Sequence, residues 1–229
     1  MSRIAVIPAR GGSKRIPRKN IKHFAGKPMI AWSIDAAIQC GLFDRIIVST
    51  DDGEIAEIAR TLGAEVPFMR PAYLSDDHTA TIPVIAHAID ALIDEGEAPV
   101  DVCCIYATAP FISIDDLEAS YKQFKRTDSM YCFTATEFAA PVFRSFKVED
   151  DHSVEMFWPE NFEKRSQDLP VAYHDAGQFY WGHAKAWMDG DLIFAPHSQA
   201  FVIPRWRVQD IDTPDDWARA ELMAPAILG

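Results

Sequence analysis

Two short stretches, one near each end of the 229-residue chain, hold the side chains best suited to chemistry. The first, Arg10-Gly11-Gly12-Ser13-Lys14-Arg15-Ile16-Pro17-Arg18-Lys19-Asn20, directly follows the apolar run Ile4 to Pro8 and Ala9. Gly11 and Gly12 can adopt positive φ and turn backbone N–H groups toward an anion, while Arg10, Lys14, Arg18 and Lys19 supply compensating charge. Such a loop suits a triphosphate. Transfer at an α-phosphate builds negative charge on the nonbridging oxygens and on the departing pyrophosphate, and cations fixed beforehand stabilise it without reorganising. The spacing is neither GxGxxG nor GxxxxGK followed by Ser or Thr, so the dinucleotide fingerprint and the P-loop are both absent. A solvated basic loop is the competing reading of the charge alone.

The second stretch is Asp210-Ile211-Asp212. In an extended segment residues two apart point to the same face, so both carboxylates can address one cation. Hard oxygen ligands suit Mg²⁺, which takes one or two carboxylates and completes its shell with water and phosphate. The alternative is a pair of turn carboxylates ahead of a helix capped by Thr213.

Composition supports a local anion site. The first 34 residues contain eight Lys and Arg and no Asp or Glu, inside a chain of formal charge −12 and pI near 4.9. A cationic island in an acidic protein points to a small, highly charged ligand and argues against a nucleic-acid surface. With 48% hydrophobic residues the chain can bury a substantial core as a single domain over residues 1–229. No run approaches the roughly 18 apolar residues of a membrane helix, and no signal-peptide pattern opens the chain, so a cytoplasmic location with no membrane partner is expected. Cys40, Cys103, Cys104 and Cys132 show no CxxC spacing and read as buried thiols.

Those side chains require a frame. Short β-branched runs at Ile4 to Pro8, Arg45 to Thr50, Glu65 to Phe68, Asp101 to Tyr106 and Ser129 to Thr136 predict strands. Helical patterns cover Met29 to Gln39, Gly53 to Leu62, Thr79 to Ile93 and Ile114 to Lys125, and in the third Ile82, Ile85, Ile89, Leu92 and Ile93 are expected to form one apolar face. Ser113 and Thr213 each precede acidic first-turn residues and predict hydroxyl caps, the latter with Pro214 at the first helical position. Alternation of this kind predicts an α/β fold, a mostly parallel sheet with helices on both faces and ligands at the carboxyl ends of the strands. Residues 139–173 depart from it. Val142, Phe146 and Val148 alternate on one side of Glu149-Asp150-Asp151, and Val154, Met156 and Trp158 on the other, predicting a β-rich hairpin that must pack on the sheet or on a second subunit.

The segments IPARGGSKRIPRKNI, FDRIIVSTDD, RPAYLSDDHT, YATAPF and RVQDIDTPDDW together resemble the CMP-acylneuraminate synthetase family of cytidylyltransferases, essentially end to end. The resemblance implies a Rossmann-like nucleotidyltransferase fold with an inserted dimerisation arm, a homodimer, and a reaction that joins CTP to the anomeric hydroxyl of a nine-carbon 2-keto sugar acid with release of pyrophosphate. It implies that Arg10, Ser13, Lys14 and Lys19 contact the CTP phosphates, beside the Gly11 and Gly12 amides read above, and that Asn20 sits near the ribose or base. Arg70, Ser75, Asp76 and Thr79 fall in the segment that resembles the cytosine pocket. Lys19, Arg10 and Asp212 would then act in catalysis, with Asp210 and Asp212 as ligands of a Mg²⁺ cofactor. Within that family the forms YATAPF, VEMFWPENF, RSQDLP and YHDAGQFYWG make pseudaminic acid the acceptor that the resemblance implies first, the alternatives being legionaminic, N-acetylneuraminic and 3-deoxy-manno-octulosonic acids. A catalytically silent nucleotide-binding protein is a further alternative.

For the acceptor, Arg165, Gln167, His174, Gln178 and Tyr180 lie in a polar-aromatic stretch suited to an acidic, N-acylated sugar, with an Arg able to pair with the sugar carboxylate bidentately. Against this, Phe179, Tyr180 and Trp181 read equally well as the core of a strand.

Overall fold

Apolar runs that continue without alternation become strands covered on both faces, and this chain has several. The structure, a computed structural model, describes residues 2–229. In chain order the elements are β1 (Ser2–Pro8), β2 (His23–Phe24), β3 (Lys27–Pro28), α1 (Met29–Gln39), β4 (Arg45–Ser49), α2 (Gly53–Thr61), α3 (Thr81–Asp94) and β5 (Pro99–Ile105). They continue with α4 (Ile114–Lys125), β6 (Tyr131–Glu137), β7 (Phe146–Val148), β8 (Val154–Met156), β9 (Tyr173–His183), α5 (Ala184–Asp189), β10 (Ser198–Val202) and α6 (Pro214–Ile227).

Six strands form the central sheet in the order β10-β6-β9-β5-β1-β4. The β10–β6, β5–β1 and β1–β4 pairs are parallel, whereas β9 is antiparallel to both of its neighbours. The sheet is therefore mostly parallel with one reversed strand.

Its two faces are read off alternate residues. Ala5 and Ile7 of β1, Cys103 of β5 and Trp181 of β9 pack with α1, α2 and α4 on one side. Ile4, Val6, Cys104 and Tyr180 pack with α3 and α5 on the other. The four cysteines are buried and free. Gly182 is fixed by packing, since a Cβ there would lie 2.5 Å from Trp187 Nε1 and 2.6 Å from the Tyr131 ring.

Thr213 caps α6 as expected: its hydroxyl accepts from the Asp216 amide, and the Asp216 carboxylate accepts from the Thr213 amide in return. Three sequence expectations differ. Glu65 to Phe68 makes only an isolated bridge between Ile47 and Glu65, because Pro67 has no amide to continue a ladder. Ser113 makes no side-chain cap on α4, and Asp116, the carboxylate a capping box would need, is held by Arg207 instead. In α3, Ile85, Ile89 and Leu92 are fully buried, but Ile93 is exposed, off the stripe.

The 139–173 segment forms a shorter hairpin than expected, β7 with β8 in antiparallel register; Val142 lies in a 3-10 turn (Val142–Arg144) and Trp158 at the start of another, outside both strands. It stands apart from the main sheet and exposes Phe146, Val148, Val154, Phe157 and Phe162. Among the described residues no helix is long and apolar enough to cross a membrane.

Candidate active site

The ends of the parallel strands open into one cleft of about 620 Å³. Four segments line it: the loop after β1, the approach to and first turn of α3, the Tyr106-Ala107-Thr108 turn after β5, and the extended run before α6. A ligand edge at the carboxyl ends of the strands is where an open α/β sheet exposes backbone groups and helix N-termini together.

Of the residues expected to bind a nucleotide or act on it, Arg10, Ser13, Lys14, Lys19, Asn20, Arg70, Thr79, Asp210 and Asp212 all line the cleft. Lys19 and Asp212, far apart in sequence, meet directly: Lys19 Nζ donates to Asp212 Oδ1 at 3.1 Å and to the Ile211 carbonyl. Arg15 Nη2 takes the other oxygen, Oδ2, at 3.0 Å. Desolvation pushes the Asp212 carboxyl up, but the Lys19 hydrogen bond and the charges of Lys19 and Arg15 outweigh it and leave the pKa lowered. Asp210, across the same segment, is raised, first by desolvation from the protein packed around it and then by Asp212. Its carboxylate accepts no hydrogen bond from a donor among the described residues. Gly177, at φ +61°, packs against it, and a Cβ there would lie 3.8 Å from Asp210 Cγ.

Two carboxylates of unequal basicity on one wall, one of them without a protein donor, suit a hard cation that completes its shell elsewhere. Among the described residues no group of three or more His, Cys, Asp or Glu is arranged to hold a metal. The donor set therefore fits Mg²⁺ with phosphate oxygens and water as its other ligands, rather than a closed protein cage.

Arg70 also lines the cleft. It is 6% exposed, its Nε and Nη2 have no hydrogen-bond partner, and Asp51 is 3.8 Å away. Burial lowers its pKa. A planar cation that lines the cleft is suited to recognition of a flat polar group such as a base edge. Asn20 is buried in the cleft lining and donates to the Arg10 carbonyl at 2.9 Å, which fixes the start of the basic loop.

Several expected roles find a different occupant. Neither Gly11 nor Gly12 has positive φ or lines the cleft. The Gly11 amide is spent on Asp51 Oδ1 at 2.9 Å, and what requires glycine there is space, since a Cβ would meet Asp52 Oδ2 at 2.6 Å. Arg18 is turned away to Asp52 and Glu54. Ser75 and Asp76 shape the loop without lining the cleft: the Ser75 hydroxyl donates to the Pro71 carbonyl, and Asp76 accepts from His78 N, Thr79 N and the Thr79 hydroxyl.

None of the five residues expected at the acceptor lines the cleft. Arg165 pairs with Asp168 on an exposed turn, Gln167 is exposed beside it, and the His174 ring lies against Phe138. Gln178 and Tyr180 are buried in β9, where Gln178 Nε2 donates to the Arg207 carbonyl and the Tyr180 hydroxyl to Asp175. For Phe179, Tyr180 and Trp181 the core-of-a-strand reading is the correct one.

The cleft also contains residues the sequence did not single out. Asp77 bridges Arg10 and Lys14, and its carboxyl is held down to about 2, chiefly by the Lys14 hydrogen bond and then by Arg10. Tyr106 faces the cleft with its hydroxyl 2.9 Å from Thr81 Oγ1 and its ring 5.1 Å from that of Tyr180, and burial pushes its pKa up to about 12. Asp77 stands next to Asp76 in sequence, and only the turn geometry distinguishes the two. Tyr106 had a signal in YATAPF, at the end of a strand where ligands bind.

Comparison with known proteins identifies the family. The Cytidylyltransferase family profile matches residues 4–199. The chain is 47% identical over 223 residues to the pseudaminic acid cytidylyltransferase of Campylobacter jejuni, covering 97% of this chain and 96% of that one. It is 32% identical over 228 residues to the CMP-N,N'-diacetyllegionaminic acid synthase of Legionella pneumophila, covering 95% and 94%. The structure of a CMP:2-keto-3-deoxy-manno-octonic acid synthetase complexed with CTP shares the fold at a TM-score of 0.72 and 16% identity, covering 99% of this chain and 100% of that one. With a family profile spanning most of its length and a cation-lined cleft at the ligand edge of the sheet, the chain belongs to the cytidylyltransferase family of nucleotidyltransferase enzymes.

Proposed function

We propose that the protein transfers CMP from CTP to the anomeric hydroxyl of pseudaminic acid, releasing pyrophosphate. The observation that carries the reaction is the meeting of Lys19, Arg10 and Lys14 with Asp210 and Asp212 in one cleft. The acceptor rests on the similarity to the Campylobacter jejuni enzyme, which extends over nearly the whole of both chains.

In this reading Arg70 binds the cytosine edge, and its burial makes the pairing selective, because an unmatched base would leave a buried cation unpaired. Asn20 orients the ribose side. Lys19, half-buried and braced by Asp212, faces the α-phosphate, where a fixed cation stabilises the charge that develops as the sugar oxygen attacks in line. Arg10 and Lys14 receive the leaving pyrophosphate. Asp210 and Asp212 would hold Mg²⁺, which when bound supplies charge neutralisation and acidifies the attacking hydroxyl. The acceptor enters on the Tyr106 side of the cleft. Arg165 and Gln167, on the arm, and His174, at the start of β9, lie outside the cleft.

Four free thiols and the need for CTP support a cytoplasmic location. The apolar face of the 139–173 hairpin supports a homodimer built through that arm.

The test is pyrophosphate release from each of the four nucleoside triphosphates with Mg²⁺ and a panel of keto sugar acids. Release with CTP and pseudaminic acid alone is expected. Preference for the diacetyllegionaminic acceptor would move the substrate and keep the reaction. Release with no pair would leave a nucleotide-binding protein without turnover.

A further inference from the structure

Asp77 is held by nothing except the two cations assigned to the polyphosphate. Arg10 Nη1 donates to Asp77 Oδ1 at 2.5 Å and Lys14 Nζ to Asp77 Oδ2, so each carboxylate oxygen takes one cation, as two nonbridging phosphate oxygens would. Among the described residues its carboxylate has no other partner. The loop around it does not need it: Asp76 supplies the turn through His78 and Thr79, and the Ser75 hydroxyl closes the preceding one. Asp77 and Arg10 are each about one-third exposed and Lys14 is 81% exposed, so the contact is open to water and exchanges readily.

A carboxylate and a polyphosphate oxygen cannot both occupy the space between those cations. With its pKa near 2, Asp77 is charged at any working pH, and triphosphate meets it as a like charge at contact distance.

We propose that Asp77 is an internal competitor of the polyphosphate: it occupies Arg10 and Lys14, yields them to the triphosphate, and takes them back as pyrophosphate departs. Resting on the reading that these two cations bind polyphosphate, this assigns Asp77 the task of limiting affinity at the leaving-group end of the cleft. It thereby shortens the residence of a product that carries most of the substrate's charge. Asp77 touches no reacting atom in this account and acts through Arg10 and Lys14.

The experiment compares wild type with Asp77→Asn by titration calorimetry in metal-free buffer, using CTP, inorganic tripolyphosphate, pyrophosphate and CMP. The variant is expected to bind tripolyphosphate, pyrophosphate and CTP about three- to ten-fold more tightly, by a common factor, while CMP changes less than about two-fold. In steady state the KM for CTP and the inhibition constant of pyrophosphate should fall together. The same substitution in an Arg10→Gln, Lys14→Gln background should give no tightening. Tightening that persists in that background would reduce Asp77 to a contribution to overall charge and overturn the inference. Equal or weaker binding by Asp77→Asn would overturn it as well, while leaving the polyphosphate site standing. Failure of wild type to bind CTP or tripolyphosphate would overturn both.

Discussion

Arg70 puts function and stability in opposition. A guanidinium 6% exposed, without a partner for Nε and Nη2, costs the fold more than a well-packed apolar side chain of similar length. Arg70→Met is therefore expected to raise the melting temperature while raising the CTP dissociation constant at least about ten-fold, since a hydrogen bond to a charged group contributes roughly 1.5–3 kcal/mol. Calorimetric melting and CTP titration on the same preparation check both halves, and a destabilised variant with normal affinity would refute the role. Asp212→Asn should lower the rate of pyrophosphate release by about a hundred-fold or more, the scale seen when one preorganised electrostatic group is lost. It should leave the melting temperature within a few degrees, because Asp212 is only half-buried and its pairs with Lys19 and Arg15 are partly solvated. At this scale residue type was legible and placement was not. Charge and spacing marked Arg10, Lys14, Lys19, Asp210 and Asp212. Arg18, equally basic, takes φ +57° and faces Asp52, and a sequence does not record which way a loop turns.

At the scale of elements, the basic loop is braced against the N-terminus of α2. Asp52 caps that helix through Glu54 N and Ile55 N, binds Arg18, and leaves no room for a side chain at residue 11. Gly11→Ala should thus destabilise by about 1–3 kcal/mol, the usual cost of forcing an extra methyl into packed space. Gly12→Ala should be nearly neutral, having nothing within 4 Å and no positive φ. Urea denaturation of the two variants side by side is decisive, and equal effects would contradict the packing. The Arg18 hydrogen bond, against desolvation, lowers the Asp52 pKa from 3.8 to about 2. A depressed carboxyl contributes stability above its unfolded value, and that contribution is lost as pH falls from 3.8 through 2. Asp52→Asn should accordingly flatten the acid limb of the stability curve in that window. Helices α1 and α4 were legible to the residue because apolar period and flanking turn residues agree there. Strand β9 was only half-legible, since its buried aromatics read as ligand contacts or as core until the neighbouring strands are in place.

Across the whole molecule, one surface is out of keeping with a monomer. Phe146, Val148, Val154 and Phe162 are between 54% and 67% exposed on an arm that packs on no sheet. A two-stranded hairpin with that surface is marginal by itself and would gain stability by burying it in the proposed second copy. Val148→Glu combined with Val154→Glu should convert the proposed homodimer to monomer by sedimentation and lower the melting temperature, with the isolated CTP affinity changed less than about two-fold. A dimer that survives both charges would remove the arm from the interface. The arm was legible as a break in strand-helix alternation, whereas its partner is beyond what one chain's pattern can specify.

Reversal of β9 within a parallel sheet decides where that arm is rooted. Because β6 ends and β9 begins at Glu137 paired with Tyr173, at the same end of the sheet as the cleft, the whole excursion departs and returns at one edge without a crossover. Because both ends of this continuous excursion meet at one rim, it can lengthen, shorten or be replaced without altering the order of the six strands of the central sheet.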